Sequence, residues 1–462
     1  MKNPESNYSS VITVSLPLVL SMAATTVMEF TDRVFLANYS LEAIAAALPA
    51  GITVFLFLTF FSGISAYMNV FIAQYKGAGA EHRIGLCLWQ VIYFSILAAF
   101  LLMALSWAAK SIFELGGHSP AIQKQEIIYF RTLCLGGGLN VMGAGLATFF
   151  TGRGQTRPVM FVNIIGMLIN IPLDYALING WWFFPELGIL GAALATVFSW
   201  LFIAVLYGVL IFDRENISRF DLRGSRKLDR DLMERLIKFG LPGSLQFTLD
   251  VFAFTFFVFM VGRLGPAELA VNNIVLSIES IAFMPALGFS IGLSTLVGQA
   301  LGKNDVNLAI QVTRQTAHIL VGYILILDLV LMAAPHWVLG LFLDAGNPEH
   351  LALGISLVRI MGLYLIFDGL YMVYIGLLKG AGDTRFIMVV IGIVSLFFLI
   401  IPIYAAVTYL GADLIICWWI LTFFVLSLFA SAWFRYRQGR WKSIRVIEMA
   451  TLPVSKLSKL SD

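Results

Sequence analysis

Six carboxylates stand inside long apolar stretches of this chain: Glu29, Asp32, Asp174, Asp250, Glu279 and Asp368. A charged side chain at the centre of a membrane helix costs about 2.5–3.5 kcal/mol on insertion scales, so an acid kept there needs a proton, a counter-ion or a cation to bind. Asn170 precedes Asp174 by one helical turn and shares its face. Pro172, between them, lacks an N–H and so leaves the carbonyl of Leu168 unbonded. Carboxylates, an amide oxygen and a freed carbonyl suit a hard cation or a proton. Tyr364 stands one turn before Asp368, and Gln246 one turn before Asp250. Arg33 adjoins Asp32, but neighbours on a helix point about 100° apart and do not face each other. Asp250 and Asp368 have no Lys or Arg within a turn. Glu29 and Glu279 stay open between cation binding and plain ion pairing or solvation near a helix end.

The elements that must position these groups follow from composition. Of 462 residues, 59% are hydrophobic and 12% charged, against roughly 45–50% and about 25% in soluble domains. A bilayer core needs about 20 apolar residues per helix. Apolar runs predict twelve helices, near 11–36, 44–75, 86–108, 127–150, 158–178, 187–212, 236–262, 269–300, 315–343, 354–379, 386–409 and 412–434. The expected fold is therefore an all-α integral membrane protein: a six-helix bundle over 1–212, a linker over 213–235, a second six-helix bundle over 236–436 and a tail over 437–462. Helix rise puts Asp32 and Asp174 at similar depth in the first bundle and Asp250 and Asp368 near mid-membrane in the second.

Lys and Arg collect in alternate loops, at Lys76 and Arg83, Arg153 and Arg157, the linker, Lys303 and Arg314, Lys379 and Arg385, and the tail. Basic loops stay in the cytoplasm, so both termini are expected there. The run over 11–24 has the look of a leader but continues to Leu36 and has a counterpart in the second half. The net charge of +3 does not point to nucleic acid. Cys87, Cys134 and Cys417 lie far apart in apolar stretches and read as core residues.

The two halves resemble each other. Leu16-Pro17 matches Leu241-Pro242, and Gln74 to Gly77 matches Gln299 to Gly302, both at an offset of 225. Gly152 to Arg157 matches Gly380 to Arg385 at an offset of 228. With six helices per half, both halves enter the membrane from the same side, as a parallel repeat whose bundles enclose a cavity. Phe and Met side chains should line part of that cavity. The repeat does not extend to the acids, since Asp250 aligns with Thr25 and Asp32 falls near Phe257.

Other motifs carry less. Gly298 to Lys303 is one residue short of a phosphate loop and lacks the following Ser or Thr. There is no HExxH, the five histidines lie near loops, and no nucleophile, base and metal constellation of an enzyme appears. The turn Lys76 to Arg83 lacks the Asp and double-Arg pattern of major-facilitator transporters.

Phe30-Thr31-Asp32, Asn170 to Asp174, Leu187-Gly188 with Gly191 to Thr196, Leu249-Asp250, Phe367-Asp368 and Lys379 to Thr384 occur in an order that resembles the multidrug and toxic compound extrusion (MATE) family over nearly the whole chain. The resemblance implies a sodium- or proton-coupled antiporter that exports organic cations and amphipathic drugs, with no cofactor. In the NorM-like branch the cation site would fall on Asp250, Asp368 and Tyr364; in the DinF-like branch, on Asp32, Asn170, Asp174 and Thr196. Na+ would be held at one of these acid pairs, with Glu279, Glu29 and Gln246 as further candidates. Asp250 stands where NorM-like members often have Glu, one methylene longer. The expected setting is the bacterial cytoplasmic (inner) membrane, as a monomer in contact with lipid. A lipid-linked oligosaccharide flippase shares this broad architecture but must bind pyrophosphate, which calls for buried Lys or Arg where this chain mainly has acids.

Overall fold

The computed structural model describes residues 7–340 and 348–448. Twelve helices are long and apolar enough to cross a membrane: α1 (Tyr8–Tyr39), α2 (Leu41–Gly77), α3 (His82–Trp107), α4 (Pro120–Thr151), α5 (Arg157–Asn179), α6 (Ile189–Ile211), α7 (Arg230–Gly262), α8 (Pro266–Gly302), α9 (Val306–Ala333), α10 (Glu349–Ala381), α11 (Thr384–Tyr409) and α12 (Leu414–Gln438). Among the described residues there is no strand. The number of spans is even, so α1 begins and α12 ends on one face, here the terminal face; the other is the distal face.

Local chemistry sets the helix ends. The Ser40 hydroxyl accepts from the Glu42 and Ala43 N–H groups in the tight turn into α2. Asp229, Asp305 and Asp413 accept from the Leu232, Leu308 and Ile416 N–H groups. The Asp229 cap starts α7 at Arg230, inside the segment read as linker, where Arg214–Arg219 also forms a short helix. The Asp305 cap starts α9 at Val306, nine residues before the apolar run, and Ala334-Pro335 ends it. The last residues of that expected span, 341–343, lie outside the described residues. In α11, Leu396–Ile400 forms a wider π turn just before Pro402, which has no N–H to give to the previous turn.

Each half has its own apolar core, and the halves pack alike. In the first, α1 lies on α5, and α4 contacts α2, α3 and α6; in the second, α7 lies on α11, and α10 contacts α8, α9 and α12. The seam between halves pairs α1 with α8, α7 with α2, and α2 with α8. Small residues permit the approach. Gly63 abuts Ser244, and its repeat partner Gly288 abuts Val19, the repeat partner of Ser244. At the terminal end, Gly77 packs on the Gln299 carbonyl and Gly302 on the Gln74 carbonyl.

Hydrogen bonds lock the same end. Gln74 Nε2 donates to Gly380 O at 3.1 Å, and Gln299 Nε2 donates to Gly152 O at 2.9 Å. Each glutamine thus reaches the matching loop of the opposite half. Asn69 Nδ2 adds a bond to Thr295 Oγ1 at 3.0 Å, and the Tyr67 hydroxyl donates to Lys379 O at 3.1 Å. Beyond α12, Arg440–Ser443 makes a short turn that buries Trp441, and Val446 joins the core of the first half. On the distal face Trp107, Trp181, Trp182, Trp337 and Tyr409 are exposed, as in an interfacial aromatic belt.

Candidate ion-binding sites

In the first half α1, α5 and α6 bring Asp32, Asn170, Asp174 and Thr196 together. Asn163 Nδ2 donates to Ser21 Oγ at 2.6 Å and ties α5 to α1. Ser199 Oγ donates to Gly166 O at 3.0 Å and ties α6 to α5. Asn170 and Asp174, one turn apart, are then fully buried, with Asp32 and Thr196 7% exposed. The Thr196 hydroxyl lies 3.4 Å from Asp32 Oδ2, and the Asp32 and Asp174 carboxyls face each other. Asp32 Oδ1, both Asp174 carboxyl oxygens and both polar atoms of Asn170 have no other hydrogen-bond partner. Repulsion between two bare carboxylates in a low dielectric is relieved when one proton or one small cation sits between them. Tyr129 of α4 is buried within electrostatic reach of the pair. Glu29 is exposed on α1, with Arg33 as its main charged neighbour, and so stands apart from this cluster. No ion pair joins Asp32 to Arg33.

In the second half α7, α8 and α10 assemble a larger group. Gln246 Nε2 donates to Asp250 Oδ2 at 3.2 Å. Asp368, half-buried, has Glu279 as its first acidic neighbour and Asp250 as its second. Glu279 of α8 thus joins the two acids that helix depth pairs. Tyr364 is fully buried and points toward Glu279, yet its hydroxyl has no hydrogen-bond partner. Its ring packs on Trp418, whose Nε1 donates to Asn272 Oδ1 at 3.0 Å. Among the described residues, no three His, Cys, Asp or Glu side chains gather closely enough to make a metal centre by themselves. A cation in either half would need amide, hydroxyl or carbonyl oxygens as well.

Sequence reasoning missed four polar groups. Asp328 is buried in α9 with one oxygen unpartnered against Gly362; an acid in an apolar run was the available signal. Glu126 is fully buried at the start of α4 and meets His118 Nδ1 at 2.7 Å. It fell outside the expected helix because polar residues precede it. Lys379 of α10 and Tyr371 lie close enough to Asp250 to interact electrostatically. Neither is within a turn of Asp250, so only the folded chain brings them near.

The sequence profile of the family described as MatE matches residues 17–176 and again 242–405, well over half of the chain. The chain belongs to the MATE family. The profile recurs once in each half, so the repeat is a property of the family's own unit. Asp32, Asn170 and Asp174 fall in the first match, and Asp250, Glu279 and Asp368 in the second, while Thr196 lies outside both. The probable multidrug resistance protein NorM of Pseudomonas syringae pv. tomato is 29% identical over 384 residues, covering 80% of this chain and 81% of its own. The multidrug resistance protein NorM of Burkholderia vietnamiensis is 29% identical over 378 residues, with 80% and 81% covered. A multidrug resistance MATE family transporter solved in an outward-facing conformation superposes with a TM-score of 0.84 at 20% identity, covering 94% of this chain and 97% of that one. A MOP superfamily transporter from Pyrococcus furiosus gives 0.83 at 20% identity over the same shares. This MATE protein is therefore an all-α, twelve-span membrane protein of two pseudo-symmetric six-helix bundles.

Proposed function

We propose that this MATE protein exports cationic and amphipathic small molecules, in exchange for Na+ or H+. The observation that carries the reading is the set of unpartnered buried oxygens on Asp32, Asp174 and Asn170, a site built for one small cation or proton. The multidrug resistance names of the NorM relatives support the substrate class. The basic terminal face lies in the cytoplasm, and the protein sits in the bacterial inner membrane.

With the terminal face locked by Gln74 and Gln299, exchange in this state would take place with the distal side. An ion entering from there neutralises the Asp32–Asp174 pair and removes the negative charge that attracts a cationic substrate. Substrate leaves outward, the latch opens and the ion is released inward. One cation exchanged for one monovalent cationic substrate moves no net charge, so the ion's own concentration gradient drives that exchange; each further charge moving in across 100 mV adds about 2.3 kcal/mol. Asp250, Glu279 and Asp368 make an anionic subsite in the second half that would hold a cationic substrate. The flippase reading gains little, because Lys379 is a lone cation beside Asp250 rather than a pyrophosphate cradle.

Purified protein in liposomes, loaded with ethidium and given a Na+ or a proton gradient separately, tests this. One gradient should drive ethidium transport in wild type and not in Asp174→Asn. Transport by neither gradient, or undiminished transport by the variant, would overturn it.

A further inference from the structure

The chain past α12 belongs to both halves at once. Trp441 is fully buried, stacks on Tyr436 and donates from Nε1 to the Tyr436 carbonyl at 3.1 Å. It is part of the apolar core of the second half. Val446, a short way on, is 1% exposed and is part of the core of the first half, with Ile447 packed against it. The tail between them therefore crosses the seam on the terminal face.

The crossing segment is bonded on both sides. From the first half, Gln74 Oε1 accepts the Val446 N–H at 3.1 Å, and the Tyr75 hydroxyl donates to one oxygen of the Glu448 carboxylate at 2.7 Å, with Arg83 3.7 Å from the other. From the second half, Arg235 gives Nη1 to the Val446 carbonyl at 3.3 Å and Nη2 to the Glu448 carboxylate. Gly382, between α10 and α11, has φ +98°, and a Cβ there would stand 2.8 Å from Val446 Cγ2 and 3.3 Å from Ile444 Cγ2. A residue with a side chain would be strained at that φ and would push the tail out. Gln74 thus serves latch and tail with one side chain, its N–H on Gly380 and its carbonyl oxygen on Val446. Parting the halves at this face moves Gln74 and Tyr75 away from Arg235 and Gly382, and Val446 and Glu448 cannot stay bonded to both. Among the contacts given up, those to the Glu448 carboxylate are charge-assisted and so the strongest.

We infer that Ile444 to Glu448 is a strap across the closed terminal face, which has to lift from one half before the halves separate there. It stabilises the closed state and so limits how often the interior meets the terminal side. The inference concerns the closure itself and holds for any ion or substrate that crosses.

Full-length protein in nanodiscs, spin-labelled at the exposed positions Gln155 and Arg385 of opposite halves, gives the ratio of open to closed terminal face from the distance distribution. Glu448→Ala and Val446→Ser should each raise that ratio. The two together should raise it roughly tenfold or more, the scale set by losing hydrogen bonds to a charged group. Either single variant carries the test should the double not fold. Lys442→Gln, which changes an exposed tail residue outside the strap, should match wild type. Tyr75→Phe should raise the ratio in wild type but not further in Glu448→Ala, where its bond is already gone. An unchanged distribution in the strap variants overturns the inference, as does an equal shift in Lys442→Gln. So does a Tyr75→Phe effect that persists undiminished in Glu448→Ala, which would assign it to packing within α2.

Discussion

The crossing of α2 and α8 makes a quantitative prediction about what keeps the terminal face shut. A methyl group added at Gly77 would stand 2.1 Å from the Gln299 carbonyl oxygen and 2.9 Å from its carbon, and one at Gly302 would stand 2.1 Å from the Gln74 oxygen. Carbon–oxygen contacts settle at about 3.3–3.6 Å, so the helices must part by on the order of 1 Å. The obstructing atoms are backbone, so no side-chain rotation relieves the clash. Overpacking of this kind costs about 1–3 kcal/mol, a shift of about 5- to 150-fold away from the closed state. Gly77→Ala and Gly302→Ala should each populate a more open terminal face. Spin labels at Gln155, in the turn before α5, and Arg385, in the first turn of α11, both exposed at the terminal end of opposite halves, would report it as a longer distance component. The native cysteines are buried and should not take label. One separation relieves both clashes, so the double variant should shift the balance by less than the sum of the singles. An unchanged distance distribution in folded Gly77→Ala would refute the claim that this crossing holds the halves. Full additivity would refute the shared separation.

The two acid clusters are separable. Asp174→Asn should abolish ion-driven efflux while leaving substrate binding, whereas Asp368→Asn should weaken binding of a cationic substrate such as ethidium, followed by fluorescence anisotropy; identical losses from both would contradict two sites. Arg435 pairs with the Asp383 carboxylate through Nε at 2.6 Å and Nη2 at 3.0 Å, and both side chains are largely buried. Arg435→Ala should therefore cost about 3–5 kcal/mol in detergent unfolding, and a loss below about 1 kcal/mol would show the pair to be solvated. At Glu448 burial raises the carboxyl pKa, but bonds to Arg235 and Tyr75 outweigh it and hold the group at about 2. A carboxyl lowered by folding stabilises above its ordinary value of 4.5 and loses that contribution as pH falls toward 2. Tail release, read by fluorescence of a probe on the tail, should rise across that window in wild type and be insensitive to it in Glu448→Gln.

How much of this could be read from the sequence depends on the range of the forces involved. Span number followed from hydropathy because lipid enforces it residue by residue. Helix ends were less legible where a polar cap extends the helix beyond its apolar run, as Asp305 does for α9 and Asp229 for α7. Placing Asp32 near Asp174 needed only depth along two helices. The three-dimensional company of Asp368, with Glu279 first, depended on how α8 lies against α10, and no spacing encodes that. Lys379 was invisible as a neighbour of Asp250 for the same reason.

The repeat, read first as a matter of architecture, separates two kinds of residue in the folded chain. Gln74 and Gln299 recur in both halves because closing a seam with a pseudo-two-fold axis places each glutamine against the opposite half's loop. Losing one copy leaves a buried carbonyl without its donor, which costs about 1–3 kcal/mol. The acids face inward within a half and make no such reciprocal contact, so symmetry asks nothing of them. One half could therefore keep Asp32 and Asp174 while the other kept Asp250 and Asp368, and each could be tuned to its own cation without disturbing the seam. The same reasoning explains why Val446 can add its N–H to the Gln74 carbonyl oxygen without altering the seam: a latch needs both bonds, but only the bonds are duplicated.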